Sequence, residues 1–428
     1  MQKFIRKETM RKIFLVIILL VVNIQLAQAE TLTMDQALKL ALDNNPKLQA
    51  AQAMIGISEA RIVIAKTLKN PAFVTDNGTA EKTYRAGLEQ TFELDGKRKK
   101  RTNLAKAEKE VVENEIKTVT LDLKNSVRKS YIKLFNAQQR YNASNDILKI
   151  STDLVNIAKK RNQAGDIAEL DVIQAETLQA NAKNDLETSK LQINQSFNEL
   201  NMLVNQTLPN EVQLEKPTLT ESLLKTDGTD KTINELISEA YGNRPEIKKI
   251  QKSLEASDKM MAVVKANRIP NLTLSVGPDV VTAGGEATNG TSGGVFLVGR
   301  VDLPIFNRQQ GQIKEVEAQV FQQKKELAAM QNQISYEIQD TVAKIKINQR
   351  KLQLYEKEIL PKSQDVVDKS KRSFEEGMSN IIIPINAQQS YINTRFGYIQ
   401  VLTDYQSSIS DLERNLGLNS PIGENNEK

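Results

Sequence analysis

Hydrophobic and polar positions along this chain switch between two periods. The segment TLTMDQALKLAL opens a helix at its start, with Thr33 placed as the cap and Gln36, three residues on, able to complete a capping box. Asn45-Pro46 interrupts that helix; a further helical stretch runs to about Lys69, and Pro71 ends it. Period-two alternation then takes over. In TYRAGLEQTFEL one face carries Tyr84, Ala86, Leu88, Gln90, Phe92 and Leu94, and the other Arg85, Gly87, Glu89, Thr91 and Glu93. Such a run has about the length of a strand that crosses a membrane. A weaker strand, Ala72-Phe73-Val74, precedes it.

From about Lys97 to Arg161 there is neither proline nor glycine. Ile116, Val119, Leu123, Val127, Ser130 and Leu134 step by three and four, the spacing of a coiled-coil seam. Some 65 residues at about 1.5 Å each predict a rod of roughly 100 Å. Gly165 breaks it, and a second helix resumes near Glu169 with Ile193, Phe197, Leu200 and Val204 on one stripe. Core packing of a helical hairpin accounts for every one of these stripes, so none is read as a ligand site.

The whole pattern is written twice. Asn44, Pro46 and Pro71 recur as Asn243, Pro245 and Pro270, each 199 positions on. Leu148, Gly165, Ile173 and Ala175 recur as Leu360, Gly377, Ile385 and Ala387, each 212 positions on. The difference of 13 places one insertion between Pro270 and about Pro304, where TAGGEATNGTSGG has the composition of a loop. Around it, Leu272, Leu274 and Val276 alternate with Thr273 and Ser275, and Val295, Leu297, Val301 and Leu303 with Arg300 and Asp302. The stretch from about Arg308 to Phe374, broken at Gly377, repeats the rod, with Pro361 expected to kink it. The expected organisation is a leader at 1–29, a first repeat at 30–204, a polar connector at 205–231, a second repeat at 232–417 and a polar tail at 418–428.

The leader is argued from Arg11 and Lys12 before the apolar run IFLVIILLVV, and from Ala27-Gln28-Ala29 as a small-x-small cleavage signal. About twelve apolar residues are too few for a spanning helix, which needs roughly 20. Met10 offers an alternative start, and no later segment is apolar enough to span. Composition then removes function classes. The 428 residues include no cysteine and no histidine. Disulfides, thiolate metal sites and the usual zinc and copper ligand sets are therefore excluded, as are Ser-His and Cys-His catalysis. A net charge of +5 with acids and bases interspersed does not point to nucleic acid, and no phosphate loop is present. No enzyme and no cofactor are expected.

Four strands per chain cannot close a transmembrane barrel, and each unpaired backbone group in lipid costs several kcal/mol. Strands in a membrane would therefore have to be pooled between chains. With an exported chain and no spanning helix, the cell outer membrane is the expected place, with a periplasmic helical extension. Half-buried strands of a soluble domain, or a periplasmic coiled-coil scaffold, are the competing readings; the scaffold accounts for the rods but not for the duplicated strands.

Three stretches carry a resemblance to a family: ALKLALDNNPKLQAAQ near the start, NQAGDIAELDVIQAE at the first helix break and FEEGMSNIIIPINAQQ at the second. They resemble the TolC-type outer-membrane efflux and secretion factors over essentially the whole chain after the leader. TFELDGKRKKR and VDLPIFNRQQGQI resemble more specifically the CzcC-like subgroup, which serves cation-exporting systems. The resemblance implies a mainly α fold with a small β part. Long helical hairpins would form an α-barrel, and four strands per chain would join a shared transmembrane β-barrel. It also implies a homotrimer in outer-membrane lipid, acting as a passive exit duct for metal cations or drugs. An inner-membrane pump would drive it through a periplasmic adaptor protein; a type I secretion channel is the alternative within the same family.

The resemblance places adaptor docking at the two helix breaks, Gly165, Asp166 and Ile167, and Gly377, Met378 and Ser379. It places the periplasmic gate just beyond them. Family members commonly carry aspartates after the second tip, but here those positions are Ile383 and Asn386. The first-copy counterpart, Asp171, is retained, so the mouth is expected to close mainly through Ile382 and Ile383, with Asp171 supplying charge or capping its helix. The run Lys97, Arg98, Lys99, Lys100 and Arg101 is expected to form a basic girdle facing anionic headgroups. The start of a helix disfavours those charges, which makes an external anion a reasonable partner.

Overall fold

The computed structural model describes residues 31–77, 82–208, 213–217, 219, 225–226, 229–282 and 291–418. The leader 1–29 and all but the first residue of the tail 418–428 lie outside them. Two short helices open the chain, α1 (Met34–Asn44) and α2 (Pro46–Lys66). Thr33 caps α1 through the full capping box with Gln36. Strands β1 (Ala72–Asn77) and β2 (Lys82–Phe92) follow, then the rod α3 (Lys97–Gln163) and its returning partner α4 (Glu169–Val204). The order then recurs, as α5 (Ile233–Asn243), α6 (Pro245–Ala266), β5 (Leu272–Thr282), β6 (Thr291–Val301), α7 (Gln310–Leu354), α8 (Leu360–Glu375) and α9 (Ile382–Asn415). Between the two sets lies a small pair, β3 (Lys225–Thr226) with β4 (Thr229–Asp230), which the sequence pattern did not announce.

The rods organise everything else. α2 and α6 lie along the first part of α3, and α6 also packs on α7. Lys109 pairs with Glu59 at 2.9 Å and Lys252 with Glu110 at 2.8 Å along these seams. Towards the helix breaks α4 and α9 take over beside α3, and α9 packs on α7 and α8. At each level, then, one chain presents about four helices side by side. The predicted seam is buried where α1 covers it: Leu123, Val127, Ser130 and Leu134 are inside, and Ile116 and Val119 pack against them. α5 covers α7 and α9 in the same way, over Ile334, Ile338, Ile409 and Leu412.

The connector is not a free polar linker. Leu208 is buried, and Leu214 and Leu219 pack against the core beneath α1. Leu32 bridges Leu214 in parallel, and the Tyr131 hydroxyl sits 2.7 Å from the Leu32 carbonyl and 2.8 Å from that of Glu215. Backbone pairing, together with Leu208 and Leu214, straps it to the first repeat, while Leu219 packs against the cores of both repeats. The insertion also departs from expectation. Thr282 ends β5, and Thr291 to Gly294 form the start of β6, so its two ends extend the hairpin; residues 283–290 lie outside the description.

Pro361 acts through the turn before it. Residues Tyr355–Ile359 form a π turn in which the Leu360 amide donates to the Tyr355 carbonyl, five residues back. Proline lacks an amide hydrogen and its ring crowds the carbonyl four residues earlier, so widening the turn relieves both problems. The matching part of α3 is unbroken α-helix.

Candidate functional site

The four long strands form one antiparallel sheet in the order β1–β2–β5–β6. Its register puts Phe73 beside Leu88, Leu88 beside Val276, and Val276 beside Leu297. On that face lie Phe73, Tyr84, Ala86, Leu88, Phe92, Leu272, Leu274, Val276, Val295, Leu297 and Val301, with Thr75, Asn77 and Gln90 among its polar members. Much of it is exposed: Val295 at 78%, Leu297 at 74% and Phe73 at 71%. Water does not tolerate a continuous apolar surface of that kind without a purpose. Hydrocarbon does.

The opposite face carries the sheet's paired charges, together with the apolar Val74, Phe296 and Val298. Arg85 meets Asp279 at 3.5 Å, Arg300 meets Glu89 at 3.2 Å, and the Ser275 hydroxyl donates to Glu89 at 3.0 Å. Thr91 and Thr273 bond across the strands at 3.2 Å. β1 and β6 each leave one edge without a strand partner among the described residues. Strands of eleven residues are roughly 36 Å long, and a tilt near 40° leaves about 27 Å, close to the apolar band of a transmembrane barrel. Gly87 and Gly277 sit where the backbones of β2 and β5 touch: a Cβ on Gly277 would lie 2.1 Å from the Ala86 carbonyl oxygen. Only glycine fits there.

At the junction of sheet and rod, Asp95 and Gly96 both take left-handed backbone and turn the chain into α3. The basic run that follows is divided. Lys97 is buried and donates to the Ile269 carbonyl at 2.5 Å and to Asn271 Oδ1 at 2.6 Å. Lys100 pairs with Asp95 at 2.6 Å and Arg101 with Glu93 at 2.5 Å. Arg98 and Lys99 alone of the five stand exposed without a side-chain partner among the described residues. Of the run expected to form a girdle, Lys97 is buried and Lys100 and Arg101 are engaged by neighbouring acids. The acids that claim Lys100 and Arg101 stand at the end of the strand pattern, a signal the sequence carried. Ile305 and Phe306, exposed at 58% and 92%, flank the matching junction of the second copy.

The two helix breaks are built alike. Gly165 has φ +81° and Gly377 φ +77°. The next amide reaches five residues back in each, Asp166 to the Arg161 carbonyl and Met378 to that of Ser373, both at 2.9 Å. This is the Schellman closure, which satisfies the last helical carbonyls and needs a left-handed residue. Gly165, Asp166, Gly377 and Met378 are exposed, while Ile167 and Ser379 are half-buried. Beneath them one apolar cluster joins the tips through Leu154, Val155, Ala158, Ala175, Leu178, Phe374 and Ile381. Arg161 ties the tips further: its Nη1 donates to the Phe374 carbonyl at 2.6 Å, and its guanidinium lies 4.7 Å from the centre of the Phe374 ring.

Beyond the second tip, Ile382 and Ile383 are each 50% exposed, and Asn386 is exposed as well. Asp171 lies half-exposed in the first turn of α4, where the helix dipole favours an acid. Ile381, which sequence reasoning passed over, is the buried member of that isoleucine run. No group of acids able to hold a metal ion occurs among the described residues. No described helix is long and apolar enough to cross a membrane.

An apolar-faced sheet with two open edges, carried on helical rods of about 100 Å, defines an outer-membrane duct with a periplasmic helical extension. The chain belongs to the outer membrane efflux protein family, whose model matches residues 37–206 and 236–418. It is 24% identical over 394 residues to the cobalt-zinc-cadmium resistance protein CzcC of Cupriavidus metallidurans, covering 91% of each chain. Its fold matches that of CusC with a TM-score of 0.73 at 17% identity, covering 90% of this chain and 92% of that one. The outer membrane protein VceC of Vibrio cholerae matches with a TM-score of 0.70 at 18% identity, covering 90% and 96%. This is a family of ducts rather than of enzymes.

Proposed function

We propose that three copies of this chain pool twelve strands into one barrel and twelve helices per level into a periplasmic tunnel, through which an inner-membrane pump discharges by way of an adaptor. The observation that carries this reading is the sheet: apolar outside, ion-paired inside and open at both edges. A lone chain would leave those edges unsatisfied in lipid. The repeats 30–204 and 232–417 would each supply one hairpin and one pair of rods.

Adaptor docking is assigned to Gly165, Asp166 and Ile167 together with Gly377, Met378 and Ser379, because both Schellman turns expose backbone at the far end of the rods. The gate is assigned to Ile382 and Ile383, with Asp171 and Asn386 beside them. Arg98 and Lys99 are assigned to anionic headgroups. The cargo is read as divalent metal cations, on the likeness to the cobalt-zinc-cadmium resistance protein over 91% of the chain. A passive duct needs no resident metal site to carry them. The test is cellular: a strain lacking the gene should accumulate zinc, cobalt or cadmium, and the restored gene should reverse it. Normal metal content with defective release of a drug, or of a secreted protein, would replace the cation reading with a drug-efflux or type I secretion duct.

A further inference from the structure

The internal duplication supplies a template for contact between chains. In the rods, Leu123, Val127, Tyr131 and Leu134 of the first core recur as Ile334, Ile338, Val342 and Ile345 of the second, each 211 positions on. The π turn at Tyr355–Ile359 takes up one further residue, and beyond it the offset is 212. Helical positions can therefore be matched between the copies. The two rods nonetheless differ in company. α3 has helices on both flanks, α2 and α4 from its own copy and α6 and α9 from the other. α7 and α8 have α6 and α9 on one flank.

The other flank of α7 and α8 carries Phe321, Tyr336, Ile347 and Val366, all exposed. Their counterparts on α3 are residues that meet the other copy. Glu110, matching Phe321, pairs with Lys252 of α6 at 2.8 Å. Asn125 and Asn136, matching Tyr336 and Ile347, donate to Asp411 at 3.0 Å and to Gln406 at 2.7 Å on α9. Leu154, matching Val366, is buried in the tip cluster against which Ile385 of α9 packs. α2 shows the same difference from the other side. Ser58 and Ala65 are buried, as are their counterparts on α6, Ser257 and Val264. Ser257 donates to Gln323 of α7 at 3.0 Å, so this stripe faces the rod of its own copy. One position earlier the copies part. Ala256 and Val263 are each 9% exposed, because α6 also lies on α3, whereas Ile57 and Ile64 are 52% and 71% exposed.

We infer that α7 and α8 of one chain seat against α2 and α4 of a neighbouring copy, in the register by which α3 seats against α6 and α9. This contact rests on the trimeric duct reading and fixes its register. Phe321 then meets Ala53 beside Ile57, Ile347 meets Asn194, and Val366 meets Ile173. The matched pairs are chemically consistent. Glu110 and Lys252 are both replaced, by Phe321 and Ala53, so neither leaves a lone charge against an apolar partner. Leu154 with Ile385 becomes Val366 with Ile173, apolar on both sides and exposed in the single chain. The seam covers apolar side chains that would otherwise face water. Being head-to-tail, it closes into a ring when its rotation fits.

The chain contains no cysteine, so introduced thiols are unique. The experiment treats intact outer membranes with a short bismaleimide after placing two thiols per chain, Ala53→Cys with Phe321→Cys, or Asn194→Cys with Ile347→Cys. All four positions are exposed in the single chain, so its fold does not depend on them. Both double variants should link chains into dimers and closed trimers on denaturing gels, and the four single variants should not. Glu187→Cys with Ile347→Cys, displaced about 10 Å towards the tips, should link at least tenfold less. A particle of three chains by light scattering that links at the displaced pair, or at neither matched pair, would overturn the register and leave the duct reading standing. A particle of one chain would fail the duct reading and the seam with it.

Discussion

Gly165 and Gly377 are the residues on which each helical tip turns, and the reason is local. Both sit in left-handed backbone and both are followed by the same five-back amide bond. A β-branched residue there is strained by about 1–2 kcal/mol. Gly377 has a neighbour as well, since a Cβ would lie 3.7 Å from Arg161 Nη2, whereas the space around Gly165 is open. Replacing either with valine should abolish export and adaptor crosslinking while membrane insertion stays intact; unchanged export in both variants would remove docking from the tips.

A second residue-scale prediction concerns Arg244, which is 1% exposed and bonds Glu246 at 2.8 Å and Glu337 at 2.5 Å. Burial alone would raise the Glu246 pKa, but the hydrogen bonds and charge of Arg244 and the charge of Arg414 outweigh it and hold it below its ordinary value. A carboxylate lowered by folding contributes stability above its unfolded pKa and loses it as pH falls through the folded one. Resistance of the wild-type trimer to thermal unfolding should therefore decline on acidification below about pH 5. Glu246→Gln should be less stable at neutral pH, by roughly 3 kcal/mol for a broken buried pair, and flatter across the acid range. Parallel curves for the two proteins would remove Glu246 from the acid response.

Among elements, the rods and the strands were legible in the sequence because each obeys a single period over many residues. The run from Ile116 to Leu134 could hardly pack otherwise, and the alternation at Tyr84 to Phe92 fixed which face meets lipid. What escaped had a tertiary cause. The connector reads as polar, yet Leu208, Leu214 and Leu219 pin it down, three apolar residues too widely spaced to show a period. Lys97 looked like one of five equivalent cations until the fold brought Ile269 and Asn271 beside it. Neither partner is near it in sequence.

Element-scale chemistry also frames the gate. Ile382 and Ile383 lie half-exposed at the start of α9, where a symmetric assembly could press them together. Asp171 lies in the first turn of α4, where the helix dipole also favours an acid. Ile383→Ser should open more readily in bilayer recordings with the trimer intact, and Asp171→Asn should lose most of the cation preference. Strong selectivity surviving Asp171→Asn would refute its charge role.

At the scale of the molecule, one chain is an open fragment of a cylinder. Its sheet has two edges to satisfy, and helix faces such as those of Leu191 and Val366 remain exposed at 55% and 54%. Hydrogen-bond satisfaction in lipid makes assembly a condition of insertion rather than a refinement of it. The most direct measurement is the mass of the detergent-extracted particle, determined by light scattering on the same sample whose single-channel conductance is recorded. A conducting particle of three chains that dissociates to monomer only on heating is the predicted result. A monodisperse single chain that conducts ions would contradict the pooled barrel outright.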